Sequence, residues 1–281
     1  MSVVWFNGQF IDGPLPLDAY DRGFLLGDGV FETVAVINHK PLWLDEHLQR
    51  MSHAAAELGI AFNAEGLFSG LTAALKKSQA QFEALRITLS RGKTTRGLAG
   101  DGATPSLVIS LDEFDAKNLF QSCCLKVSQV RRNEFAPSSR LKTLSYIDGV
   151  AAAREVAVDA DDALMLNTRG HVASSTIANI FLIQGSELIT PSLVQGILPG
   201  IMRRVLLDNA KRMGFTPIEK VVSLEDLFRA DAVFLCNSLR FLRPVTQLNG
   251  EPLGKRPLDD LKDGLSMLAK QHCGLDPCAL K

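Results

Sequence analysis

Lys142 stands in the run Arg140-Leu-Lys-Thr-Leu-Ser-Tyr-Ile-Asp148, just ahead of an alanine-rich stretch. A lysine amine set beside an apolar and aromatic cluster can form a Schiff base with an aldehyde cofactor. Such a cofactor needs an anchor, and Gly196-Ile-Leu-Pro-Gly-Ile-Met-Arg203 has the composition of a phosphate cradle. Glycine lets backbone approach a ligand closely, proline opens a helix at its first turn, and the free N–H groups there attract an anion. Arg50, in Glu46-His-Leu-Gln-Arg50, offers a fixed cation for the same phosphate.

The elements that must carry these residues are legible in outline. Val3 to Phe6 and Gln9 to Ile11 flank Asn7-Gly8, a two-residue hairpin signal, and Phe31 to Ile37 with Pro41 to Leu44 repeat it across Asn38-His39-Lys40. Leu44, Leu48, Met51, Ala55 and Leu58 keep helical spacing up to Gly59, and a second helix runs from Ala64 to Ser78. Strands follow at Leu85 to Ser90 and Ser106 to Leu111. These make an α+β domain over residues 1–115, with the polar stretch 112–121 as linker. In the remainder, 122–281, strand-like runs at Leu125 to Val130, Ala163 to Leu166, Asn179 to Ile183 and Ala232 to Leu235 alternate with helices. One helix starts at Pro199-Gly200 and carries Ile201, Val205, Leu206 and Met213. Ser223-Leu-Glu-Asp226 reads as a capped short helix, and a helix closes the chain after Lys255. The layout is a two-domain α+β protein with its ligand chemistry in the cleft between domains.

With 281 residues, 46% of them hydrophobic, the chain can bury a large core. A net charge of -1 gives no electrostatic case for nucleic acid or an anionic membrane surface. No stretch reaches the ~18 continuous apolar residues of a membrane span, so a cytoplasmic protein with a small-molecule ligand is expected. The five cysteines lack paired metal-ligand spacing, and His47 and His53, six apart, fall on different helix faces, so no metal is assigned.

Six runs, in order, resemble the class IV pyridoxal-phosphate aminotransferases, the group that includes branched-chain aminotransferase, D-amino-acid aminotransferase and aminodeoxychorismate lyase. They are Asp21-Arg-Gly-Phe-Leu-Leu-Gly-Asp-Gly-Val-Phe-Glu-Thr33, Glu46-His-Leu-Gln-Arg50, Ser90-Arg-Gly-Lys-Thr-Thr-Arg-Gly97, Leu141-Lys-Thr-Leu-Ser-Tyr146, Leu198-Pro-Gly-Ile-Met-Arg203 and Asn237-Ser-Leu-Arg-Phe-Leu-Arg-Pro-Val245. The resemblance implies a two-domain fold type IV enzyme that uses pyridoxal 5'-phosphate. Carried over residue by residue, it implies Lys142 as the cofactor lysine and proton shuttle. Arg50, the amides of Ile201 and Met202 and the hydroxyl of Ser238 would hold the phosphate. Leu198 would pack on the cofactor ring and Tyr146 bond its hydroxyl. A homodimer is implied as well.

One position departs from the pattern. Ser174 fills the place where the family usually has a glutamate that keeps the pyridine nitrogen protonated. Serine can hydrogen-bond that nitrogen but cannot supply the charge that raises its pKa. The weaker electron sink disfavours full transamination more than an elimination that ends in an aromatic product. Phe-Glu-Thr33, Arg96-Gly97 and the Asn237 run look most like those of the aminodeoxychorismate lyases, a resemblance that agrees with this and implies Thr33 assisting at the leaving group and Arg96 and Arg240 holding substrate carboxylates. The alternative is a transaminase for D-amino acids or branched-chain L-amino acids. Phe31 and Thr33 would then line an apolar pocket and Arg96 bind the α-carboxylate.

Overall fold

The computed structural model describes residues 3–61, 63–100 and 104–280. The chain forms two compact units. The first gathers the residues up to Ala116 with two later pieces, Lys142–Tyr146 and Ala269–Leu280; the second holds Lys117–Leu141 and Ile147–Leu268.

The first unit is built on an antiparallel sheet. In chain order its elements are β1 (Val3–Phe6), β2 (Gln9–Phe10), α1 (Arg22–Leu26), β3 (Gly29–Ile37), β4 (Lys40–Pro41), α2 (Leu44–Glu57), α3 (Ala64–Leu75), β5 (Phe82–Lys93) and β6 (Thr104–Glu113). The sheet order is β2-β1-β6-β5-β3-β4. Both expected hairpins form. Asn7 and Gly8 take positive φ (43° and 107°), as do Asn38 and His39 (51° and 62°), the backbone that a two-residue turn between twisted strands requires. The second turn is one residue shorter than the spacing predicts, because Lys40 already pairs with Ile37 and Leu44 opens α2. Asp112 and Glu113, read as linker, extend β6 by pairing with Ala84 and Glu83. Helix α2 buries His47, Leu48, Met51, Ala54 and Ala55, one stripe at helical spacing.

The second unit is a sheet that closes on itself. Its elements are β7 (Cys123–Val127), α4 (Pro137–Arg140), α5 (Ile147–Val156), β8 (Asp162–Leu166), β9 (Val172–Ser175), β10 (Asn179–Gln184), β11 (Glu187–Pro191), α6 (Ile201–Asn209), β12 (Thr216–Lys220), α7 (Leu224–Arg229), β13 (Ala232–Asn237), β14 (Phe241–Leu248), β15 (Glu251–Pro252) and α8 (Asp259–Cys273), whose last residues from Ala269 on are counted with the first unit. The path β10-β13-β14-β7-β8-β9 returns to its start through a β9–β10 pairing, Ser174 opposite Asn179. Alternate residues point inward: Leu164 and Leu166, Ile180 and Leu182, Val233 and Leu235 share one core. The other face is covered too, with Ala163 and Met165 of β8 packed on Ala152 and Val156 of α5. Burial on both faces explains why these strands read as continuous apolar runs. The capping box at Ser223 and Asp226 forms as expected. No helix among the described residues is long and apolar enough to cross a membrane.

Candidate functional site

Lys142 is held by backbone, and the glycines of the first motif explain how. The amide of Phe31 donates to the Lys142 carbonyl and that of Leu144 to the Gly29 carbonyl, both at 2.9 Å, so the lysine segment lies along the start of β3. A Cβ on Gly29 would sit 2.6 Å from both the Leu144 side chain and the Leu89 carbonyl, so only glycine admits the segment this closely. The Lys142 amine then lies 4.3 Å from the centre of the Phe31 ring and donates to the Tyr146 hydroxyl at 3.4 Å. Tyr146 meets Phe31 edge-on, ring centres 5.3 Å apart. Three residues singled out by sequence, Lys142, Tyr146 and Phe31, thus form one cluster.

Thr33 belongs to the same face of β3 as Phe31, and its cross-strand partner is Arg86 of β5. The Arg86 guanidinium stacks 3.9 Å from the centre of the Phe31 ring. Desolvation by that packing is the larger influence on Arg86 and lowers its proton affinity, with Tyr146 acting the other way. Sequence reasoning missed Arg86. Its signal was the alternation Leu85-Arg-Ile-Thr-Leu89, which sends Arg86 and Thr88 to the face opposite Leu85, Ile87 and Leu89.

The neighbouring residue Glu32 points the other way and is wholly buried. Arg50 grips it with two bonds, Nε to Oε1 at 2.7 Å and Nη2 to Oε2 at 2.6 Å, and the His47 ring shares Oε2 at 2.7 Å. Burial alone would raise the Glu32 carboxyl, but the Arg50 charge and the hydrogen bonds from Arg50 and His47 outweigh it and hold the group down to about 2. Burial lowers the His47 ring in turn, against the attraction of Glu32 and helped by the charges of Arg50 and Lys142. The cation expected at Arg50 is therefore fixed in place by a buried carboxylate. Neither Glu32 nor His47 was singled out for a role in the sequence, because a charge inside an apolar strand is legible only once its partners are known. Arg96 sits apart from these groups by sequence, exposed on the loop after β5.

The second unit gathers the other expected residues at one end of its closed sheet. Asn179 is the organising side chain. The Asn179 backbone lies opposite Ser174 and Cys236 in the sheet, and its side-chain Nδ2 donates to the Leu198 carbonyl at 3.0 Å. A Cβ on Gly200 would lie 2.0 Å from the Asn179 Oδ1. Gly200 caps α6 without any side-chain bond over the helix end, which leaves the first turn, with the amides of Ile201 and Met202, uncovered by a capping group. Ser238 stands in the turn after β13, where Asn237 Oδ1 accepts from the amides of Leu239 (3.2 Å) and Arg240 (2.8 Å). Arg203 is buried, and its Nε has no hydrogen-bond partner among the described residues. Ser174 is 7% exposed and donates its hydroxyl proton to the Ser175 carbonyl at 2.9 Å.

The chain matches the sequence profile of the family described as amino-transferase class IV over residues 29–248. It belongs to the class IV aminotransferases. Among curated relatives, it is 30% identical to an aminodeoxychorismate lyase of Bacillus subtilis, covering 96% of this chain and 94% of that protein. It is 27% identical to a D-alanine aminotransferase of Bacillus licheniformis, covering 89% and 90%. The crystal structure of the 4-amino-4-deoxychorismate lyase of Pseudomonas aeruginosa superposes with a TM-score of 0.81 at 28% identity, covering 92% of this chain and 96% of that one.

The cofactor of class IV aminotransferases, pyridoxal 5'-phosphate, fits the residues present. An amine sits among aromatic rings at Lys142. The glycine-capped helix end at Gly200, where a Cβ would displace the Asn179 side chain, suits a phosphate.

Proposed function

We propose that this class IV enzyme is a 4-amino-4-deoxychorismate lyase, releasing pyruvate and 4-aminobenzoate. The observation that carries the reading is the face built on Phe31: the Lys142 amine and the Arg86 guanidinium share one ring, and Thr33 lies directly across from Arg86. That face suits a substrate with two carboxylates and a C–O bond to be broken. Bound pyridoxal phosphate supplies an aldehyde that takes up a primary amine and a conjugated ring that accepts electrons. Arg50, the Ile201 and Met202 amides and the Ser238 hydroxyl would hold its phosphate. Leu198, Tyr146 and Ser174 would contact its ring.

In this reading Lys142 removes a proton from the substrate ring carbon, and the Tyr146 hydroxyl keeps the amine beside Phe31. As the C–O bond breaks the carbocycle becomes aromatic. The departing enolpyruvate gains a proton, with the Thr33 hydroxyl as the near donor, and becomes pyruvate. Atoms and electrons balance without an oxidant or second substrate. Arg86, Arg96 and Arg240 hold carboxylates. Ser174 supports elimination over transamination, because a hydroxyl spent on the Ser175 carbonyl supplies no negative charge to a ring nitrogen.

A cytoplasmic homodimer is part of the same proposal. Tyr20, Phe24, Leu25 and Leu26, on and before α1, are 50–71% exposed, an apolar cluster of the kind a second copy covers. Cys123 and Cys236 are buried thiols, with Cys123 pushed up to about 12 by burial above all, as suits a reducing compartment.

The test is incubation of the cofactor-loaded protein with 4-amino-4-deoxychorismate, following 4-aminobenzoate by fluorescence and pyruvate through lactate dehydrogenase. Equal amounts of both products, absent in Lys142→Ala, are expected. The second reading is a transaminase, in which Arg96 would bind an amino-acid α-carboxylate; Arg96 does not separate the two. Turnover of D-alanine or L-leucine with 2-oxoglutarate, and no 4-aminobenzoate, would replace the lyase by that reading.

A further inference from the structure

Arg22 belongs to the same motif as Phe31 and Thr33. It is 8% exposed, and its planar fork is spent on three acceptors. Nε donates to Asp28 Oδ2 at 2.7 Å, Nη1 to the Gly97 carbonyl at 2.6 Å and Nη2 to the Leu98 carbonyl at 2.8 Å. Two successive backbone carbonyls of one loop are thus tied to a buried cation. Gly97 has a φ of +117°, which only glycine adopts without strain, so the clamp holds a particular backbone shape. Leu98, beside it, is 83% exposed, so apolar packing does not hold the loop there.

The clamp is itself anchored. Asp28 Oδ2 also accepts from Arg91 Nε at 2.7 Å, and the Arg91 Nη1 and Nη2 donate to the carbonyls of Gly59 (2.8 Å) and Leu58 (2.6 Å) just past the end of α2. Burial would raise the Asp28 carboxyl, but its bonds to Arg91 and Arg22 prevail and keep it lowered. One chain of contacts therefore runs from the end of α2 through Arg91, Asp28 and Arg22 to the residues that follow Arg96.

We infer that Arg22 is a positioning residue for substrate binding: by clamping the Gly97 and Leu98 carbonyls it fixes the loop whose preceding residue, Arg96, meets a substrate carboxylate. The inference rests on the role proposed above for Arg96. Lysine at position 22 would keep the charge beside Asp28 but cannot reach two carbonyls with a planar fork.

The experiment compares wild type, Arg22→Lys, Gly97→Ala and Arg96→Gln as cofactor-loaded proteins, using whichever of 4-amino-4-deoxychorismate and D-alanine the wild type turns over. Amide exchange over residues 94–100 and the rate of tryptic cleavage after Arg96 report the loop. Loss of two hydrogen bonds to a charged donor predicts loop exchange and KM each rising about tenfold in Arg22→Lys, with kcat within about threefold. Gly97→Ala, which disturbs the clamp from the loop side and leaves Arg22 in place, should do the same and stands in if Arg22→Lys folds poorly. Arg96→Gln should raise KM without altering loop exchange. A raised KM in Arg96→Gln alone, with KM unchanged in both clamp variants despite faster exchange, overturns the positioning role. Unchanged loop exchange in both clamp variants overturns the clamp itself. If Arg96→Gln leaves KM unchanged, the role of Arg96 fails and the positioning role falls with it, while the exchange data still judge the clamp.

Discussion

Replacing Arg86 by glutamine removes one cation from the Phe31 face and leaves the ring, Lys142 and Tyr146 as they are. The guanidinium packs on Phe31 and is partly desolvated, so its bond to a carboxylate is stronger than a fully hydrated one. Losing one charge-assisted contact predicts KM up by about 10- to 100-fold for a carboxylate substrate, with kcat changed much less. Steady-state kinetics measure this directly, and an unchanged KM would remove Arg86 from the site. At this scale the sequence was legible where residues that meet belong to one run. Lys142 and Tyr146 are four apart and meet. Glu32, His47 and Arg86 escaped because each acts through a partner that is distant in the chain. Strand register alone brings Arg86 to Thr33, and the turn of α2 alone carries His47 and Arg50 together to Glu32.

Among elements, the proposed phosphate cradle depends on the junction of β10 with α6. Asn179 fills the space that a Gly200 side chain would need, and the same amide bonds the Leu198 carbonyl. Gly200→Ala must therefore push Asn179 or the loop aside, turning the first amides of α6 away from the phosphate they are proposed to bind. Cofactor affinity, titrated by quenching of protein fluorescence, should fall by about tenfold or more, the loss of one good anion contact. Gly214→Ala is the control. It strains a positive φ but meets nothing nearby, so it should lower thermal stability and leave affinity alone. Equal affinity losses in both variants would mean that the cradle is not at Gly200. Helix α6 was legible because glycine and proline punctuate its start. Strand β14 was not: Pro244 lies inside it, and proline argues against a paired strand. The structure accommodates it between β13 and β7, with a register shift just beyond it at Val245 and Gln247. Strands β9 and β12 were hidden by their polar residues, since Ser174 and Ser175 are buried for reasons other than hydrophobicity.

For the molecule as a whole, the buried group Glu32–His47–Arg50 ties stability to pH. Glu32 titrates at about 2 when folded, against 4.5 as a free side chain. A carboxyl depressed in this way binds protons more readily when unfolded, so its contribution is complete above pH 4.5 and drains away as pH falls toward 2. The difference amounts to about 3 kcal/mol at 1.36 kcal/mol for each pH unit. The His47 ring is lowered too, chiefly by burial, so the folded protein holds it neutral more strongly than the unfolded chain does. Its contribution is complete above its ordinary value of 6.5 and is lost as pH drops below that. Acid should therefore weaken the protein in two stages, gently below pH 6.5 and more steeply below 4.5. Glu32→Gln keeps the shape but leaves Arg50 beside a neutral amide, so at pH 7 it should be destabilised by about 3 kcal/mol. As pH falls the wild type loses the same contribution, and the two proteins should converge near pH 2. Denaturant unfolding of both at intervals from pH 7 to 2.5 measures the gap. A gap of constant size across that range would mean that Glu32 is not ionised in the folded state, and that Arg50 is held by something other than its charge.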